Sequence, residues 1–120
     1  MYVYHRTSAA TAILAEGFRD GMSDAMNAAL WPGVWFSTFP LNFNEGAKGE
    51  DVLRLDIPEA LFTNHEFVPD DEEIRTYREA LIPAGLVNAY GPPTLLTEAE
   101  VEELEANDPR WRPGFHPGNL

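Results

Sequence analysis

Residues 2–8 read Tyr2-Val3-Tyr4-His5-Arg6-Thr7-Ser8, and this stretch decides how the rest of the chain is understood. It opens as an alternating run, the pattern of a half-buried strand. It closes on an imidazole, a guanidinium and two hydroxyls. Apolar residues at helical spacing follow at once: Ala9, Ala10, Ile13, Leu14 and Phe18. A strand that delivers a histidine to its C-terminal end, where the chain turns into a helix, presents a titratable group at a cleft. The plainer role for His5 is a hydrogen-bonded residue at a strand end, and these residues alone leave both roles open.

Working outward, Ser8 is the expected N-cap and Gly17 the expected C-cap of a helix over residues 9–16. Residues 17–32 read as a connection, with a short helix from Asp24 to Leu30 capped by Ser23. Gly33-Val34-Trp35-Phe36-Ser37 has the β-branched and aromatic content of a strand. A polar, glycine-bearing loop is expected over residues 42–51. Val52-Leu53-Arg54-Leu55-Asp56-Ile57 alternates cleanly and reads as a strand with one wet face. Pro58 stops it and starts a short helical turn through PEALF. His65-Glu66-Phe67-Val68 is a weaker strand, and an acidic patch at Asp70 to Glu73 leads towards Arg78. Glu79-Ala80-Leu81-Ile82-Pro83 is apolar enough for a buried strand. After the break at Gly91-Pro92-Pro93, Thr97-Glu98-Ala99-Glu100 is a capping box that opens an acidic helix to about Ala106. The tail from Pro109 is rich in Pro and Gly, and an extended course is expected for it.

The 120 residues suit one domain with one core, and 44% hydrophobic residues give the chain enough apolar surface to fold. No apolar run reaches the roughly 18 residues of a membrane span, and no secretory leader is visible, so a cytoplasmic location is expected. With no cysteine, disulfides, thiolate catalysis and Cys-ligated zinc are excluded. The net charge of −12 leaves only 8 Lys and Arg, too few for a basic face that grips phosphate backbones, so bulk nucleic-acid binding is disfavoured. A small anionic ligand held by two or three arginines stays compatible with this count. Neither GxGxxG nor a P-loop is present. Strand, helix, several strands and one late helix make an α+β order.

Three segments together resemble the ADP-ribosyltransferase superfamily, in the His-Tyr-Glu branch that includes the poly(ADP-ribose) polymerases and diphtheria toxin. Tyr4-His5-Arg6-Thr7 looks like that family's first strand, where His-Gly-Ser/Thr follows a hydrophobic residue. Ala12 to Phe18 is similar to the helix after it, Gly33 to Ser37 to the second motif, and Glu79 to Pro83 to the last motif strand, which opens with a glutamate. The segments YHRT, EGFRDG, GVWFS and REALIPAGLVN also resemble those of a small bacterial group. The resemblance spans about residues 2–88. It implies a core over residues 1–90, built as two small antiparallel or mixed sheets around an NAD cleft. Residues 91–120, the acidic helix and the tail, then belong to the same single domain.

The activity implied is cleavage of the nicotinamide–ribose bond of NAD and transfer of ADP-ribose to an acceptor such as a protein. That chemistry builds oxocarbenium character on the ribose, which a fixed carboxylate stabilises. By position, the resemblance makes His5 the ribose contact, the Arg6 backbone the carboxamide contact, Trp35 the stacking ring and Glu79 the catalytic acid. Thr7, Phe36 and Ser37 are the neighbouring cofactor contacts, and no metal is implied. Two departures stand out. Arg6 replaces a glycine, which puts its side chain against the nicotinamide pocket or on a phosphate, and Trp35 replaces a tyrosine. Phe39 and Phe43 are both candidates for a second stacking ring.

Each residue has a plainer role beside this one. Trp35 reads equally as a core aromatic, and Glu79 as a surface carboxylate paired with Arg78 or Arg75. Glu66 is the fallback acid. His65 and Glu66 are adjacent on a strand and so point to opposite faces, which argues against shared metal ligation. His116, in the tail, is read as inert. Two further functions compete with transfer: an RNA 2'-phosphotransferase, for which Arg6, Arg19 and Arg54 are a thin supply of cations, and a catalytically inactive binding module.

Overall fold

The computed structural model describes residues 1–26, 29–40, 50–68 and 77–107. Its elements run β1 (Tyr2–Thr7), α1 (Ala10–Glu16), β2 (Gly21–Met26), β3 (Ala29–Ser37), β4 (Asp51–Asp56), α2 (Glu59–Asn64), β5 (Glu66–Phe67), β6 (Glu79–Ile82), α3 (Ala84–Val87), a 3-10 turn (Asn88–Tyr90), β7 (Thr94–Leu95) and α4 (Glu98–Ala106). The α+β class expected from the sequence stands. The expectation of two small sheets does not. Six strands form one open antiparallel sheet in the order β5-β6-β3-β1-β4-β7, and β2 pairs with β3 beyond it.

β1 and β4 are the best-matched pair, in register from Tyr2↔Asp56 to Thr7↔Asp51. β3 and β6 are in register from Val34↔Ile82 to Ser37↔Glu79. Between these two ribbons the registered join is a single pair, Tyr4↔Ser37. Beyond it the strands separate toward Thr7 on one side and Gly33 on the other, and the sheet opens into a wedge.

Alternation along each strand sorts the side chains. One face carries Val3, His5, Val34, Phe36, Leu53, Leu55, Ala80 and Ile82. The apolar members of this face join Phe18, Phe62, Ala84 and Val87 from the covering segments in the main core. The other face carries Tyr4 and Val52, which pack with Leu96 under Val101 and Leu104 of α4. By parity it also carries Tyr2, Arg6, Trp35, Ser37, Arg54, Asp56, Glu79 and Leu81. The sheet therefore separates two cores of unequal size.

Local chemistry explains most of the ends. Thr97 accepts from the Glu100 N–H at 3.1 Å while Glu100 accepts from the Thr97 N–H at 3.0 Å, the expected capping box. α1 begins one residue later than expected. Ala9 takes the N-cap position with no side-chain cap, and Thr7 Oγ1 accepts from the Ala9 N–H at 2.9 Å. The helix expected from Asp24 to Leu30 is absent, because Gly21–Met26 pairs with the first half of β3 as a strand. Ladder bonds to a neighbouring strand outweigh a helix propensity worth only tenths of a kcal/mol per residue. The acidic patch at 70–73, the loop at 42–49, Phe43, Arg75, His116 and the tail lie outside the described residues. Among the described residues no helix is long and apolar enough to cross a membrane.

Candidate functional site

The wedge between β1 and β3 is a half-open cleft of about 430 Å³, lined by His5, Thr7 and Ala9, by Ala12, Ile13 and Glu16 of α1, by Gly17 to Arg19 and Gly21, and by Gly33 to Trp35. It exists because β1 and β3 stop pairing after Tyr4↔Ser37. The Trp35 carbonyl, left without a strand partner there, is met by a side chain: His5 Nδ1 lies 2.8 Å from it. A carbonyl only accepts, so Nδ1 carries the proton and donates. Nε2 is then the basic nitrogen of a neutral ring. Burial pushes the His5 pKa below its usual value, and the bond to Trp35 opposes part of that shift. Phe18 and Phe36 pack on the ring at centroid distances of 5.7 and 5.8 Å and on each other at 5.4 Å, a three-ring cluster.

The near wall of the cleft is the segment Gly17 to Asp20, fixed from outside by α3 and the turn after it. Asn88 Oδ1 accepts from the Phe18 N–H at 2.8 Å, and Asn88 Nδ2 donates to the Phe18 carbonyl at 2.9 Å. Two residues on, Asp20 Oδ1 accepts from the Ala84 N–H at 2.7 Å. Gly17 has φ +90°, and a Cβ there would come within 3.1 Å of Asn88 Oδ1, so both backbone conformation and space call for glycine. On the floor, a Cβ on Gly33 would sit 2.9 Å from the Leu81 side chain.

The residues singled out from the sequence separate into two groups. His5 and Thr7 line the cleft. Phe36, 2% exposed, is core behind it. Trp35 contributes its carbonyl to the cleft, whereas its ring stands over the other face, edge-to-face with Phe67 at 5.8 Å. Arg6 also projects to that other face, where its guanidinium lies 3.6 Å from Glu105 of α4, so it does not crowd the cleft. Ser37, 5% exposed, hydrogen-bonds the Tyr4 and Phe39 carbonyls. Glu79 pairs with Ser37 and shares its face. His5, by contrast, shares its face with Phe36 and Ala80. His5 and Glu79 thus stand on opposite faces, two strands apart, and do not converge.

The fallback acid is engaged elsewhere. Glu66 receives Arg78 Nε at 3.0 Å and Nη2 at 2.7 Å, which holds its carboxyl below the usual range. Arg78 also lies over the Phe62 ring, 4.9 Å from its centroid. His65 Nδ1 is 3.0 Å from the Leu61 carbonyl. Phe39 is not in the cleft lining. The arginines do not cluster: Arg54 stacks on Tyr2 at 4.5 Å, and Arg19 pairs with Glu16 at 3.1 Å on the cleft rim. No group of three metal-ligating side chains occurs among the described residues. Asn88 and Asp20 went unnoticed in the sequence. A single Asn and a single Asp carry no local signal, and their partners lie 70 and 64 residues away.

Comparison with family models, curated proteins and solved structures finds no match. Function therefore has to be argued from the cleft.

Proposed function

We propose that the protein is a small-molecule-binding module whose His5 cleft receives the nicotinamide-bearing end of NAD, or a ligand of that chemistry. The observation that carries this reading is the wedge itself. A strand separation exposes a neutral imidazole in a largely apolar cavity with one ion pair at its rim, and the Trp35 carbonyl fixes its tautomer. An acceptor held this rigidly binds an N–H or O–H donor without paying to be oriented. The ADP-ribosyltransferase-like motif around His5 supports nicotinamide as the ring. Transfer of ADP-ribose by Glu79 is not part of the proposal, because that carboxylate stands on the face away from His5.

Thermal unfolding with NAD and with nicotinamide, run beside an assay for nicotinamide released from NAD, tests the proposal. The expected result is stabilisation by mass action and no release. Release of nicotinamide that Glu79→Gln abolishes would replace the binding module with a transferase.

A further inference from the structure

The cleft's charge inventory points past the choice of ring to what the ring is attached to. Among its described lining residues there is one cation, Arg19, and its guanidinium is 3.1 Å from Glu16, which also lines the cleft. The pair sums to zero. α1 borders the cavity along its length, from its N-cap Ala9 to Gly17, whose N–H goes to the Ile13 carbonyl at 2.8 Å, so the helix ends favour neither sign of charge there. Thr7 Oγ1 accepts from the Ala9 N–H, and its own O–H is a single neutral donor with no charge to offset a phosphate. The chain as a whole carries −12, which adds a repulsive long-range field.

We propose that the cleft selects an uncharged, planar ring bearing one N–H or O–H donor, and that a phosphate attached to that ring weakens binding rather than anchoring it. This rests on the cleft being a ligand site, as proposed above. The donor goes to His5 Nε2, and the ring lies among Ala12, Ile13, Phe18 and Val34. A cavity of about 430 Å³ accommodates a nucleoside-sized molecule. The apolar walls supply most of the affinity, and the imidazole supplies orientation. A phosphate at the rim would stand beside the Glu16 carboxylate, which already holds Arg19, the one cation among the described lining residues.

Nicotinamide serves as the bare-ring probe, and two pairs that differ only by a phosphate test the charge selection: adenosine against AMP, and inosine against IMP. Affinities are measured at low and at high NaCl by following the His5 imidazole signals in NMR spectra of the full chain. The expected result is that at least one neutral probe binds about threefold or more tighter than its phosphorylated partner. Its affinity should not change with salt. His5→Phe, which keeps a ring against Phe18 and Phe36 but removes the acceptor, should weaken that neutral probe about tenfold while the circular-dichroism spectrum stays that of the parent. AMP or IMP binding tighter than its nucleoside, with an affinity that falls as salt rises, would overturn the charge selection and leave the cleft as a ligand site. If no probe moves the His5 signals at millimolar concentration, the ligand site falls and the selection falls with it.

Discussion

Asn88→Ala is the sharpest probe of how the cleft is held open. The side chain makes two hydrogen bonds to one residue, at 2.8 and 2.9 Å, and satisfies both the N–H and the carbonyl of Phe18. A protein hydrogen bond contributes about 0.5–1.5 kcal/mol net. Asn88 is exposed on its outer side, so water compensates part of the loss and the lower half of that range applies. Together the two bonds should be worth about 1–2 kcal/mol. In a urea titration followed by circular dichroism, a slope near 1.5 kcal/mol per molar puts the midpoint lower by about 1 M. Asn88→Asp keeps the acceptor for the Phe18 N–H but sets a carboxylate against the Phe18 carbonyl, and should recover less than half. The local signature is a shift of the His5 ring signals, because Phe18 packs on that ring. A stability loss under about 0.5 kcal/mol, or unchanged His5 signals, would mean that the segment from Gly17 to Asp20 is held without Asn88.

Three further outcomes follow from the geometry. Glu79→Gln should leave the affinity of any cleft ligand within about twofold of the parent by titration calorimetry, since the residue faces away from His5; a tenfold loss would contradict the registers that place it there. The His5 pKa is lowered on folding, so the unfolded chain binds more protons, and stability rises with pH between the folded value and about 6.5. Melting temperatures should therefore fall as pH drops below about 6.5, and His5→Gln should flatten that segment of the profile. Phe62→Ala empties a site that is 0% exposed and should cost about 3–5 kcal/mol in equilibrium unfolding; a cost under 1 kcal/mol would mean that the core collapses onto the gap.

What was legible in the sequence was what local chemistry decides. The alternation of Val52 to Ile57 gave β4, and Thr97 with Glu100 gave the start of α4, because each pattern is complete within a few residues. β2 was not legible. Gly21 to Met26 has no alternation, and the strand exists through pairing with Ala29 to Gly33. α3 has four residues and β7 two, too few for a period to register. His5 was visible as a candidate, but its partner, the Trp35 carbonyl, is a backbone atom 30 residues away. The motif spacing placed Glu79 at a strand start and left its face undetermined. That face depends on two successive registers, Tyr4↔Ser37 and Ser37↔Glu79, and a slip of one residue in either reverses it.

The single joint at Tyr4↔Ser37 also bears on how the chain is made. The ribbon of β1, β4 and β7 and the ribbon of β3, β5 and β6 each draw their strands from distant parts of the chain, and the two sets are interleaved. Neither ribbon can close as a contiguous stretch emerges from the ribosome. β1 has no full-length partner until Asp51–Asp56 has followed, and the second half of β3, Val34 to Ser37, waits in the same way for Glu79–Ile82 while β2 already pairs with its first half. A topology of such non-local pairs folds slowly for its size. Until then an apolar strand with open edges stands unprotected, so the nascent chain's exposure to aggregation is set by the speed of synthesis as much as by the stability of the finished sheet.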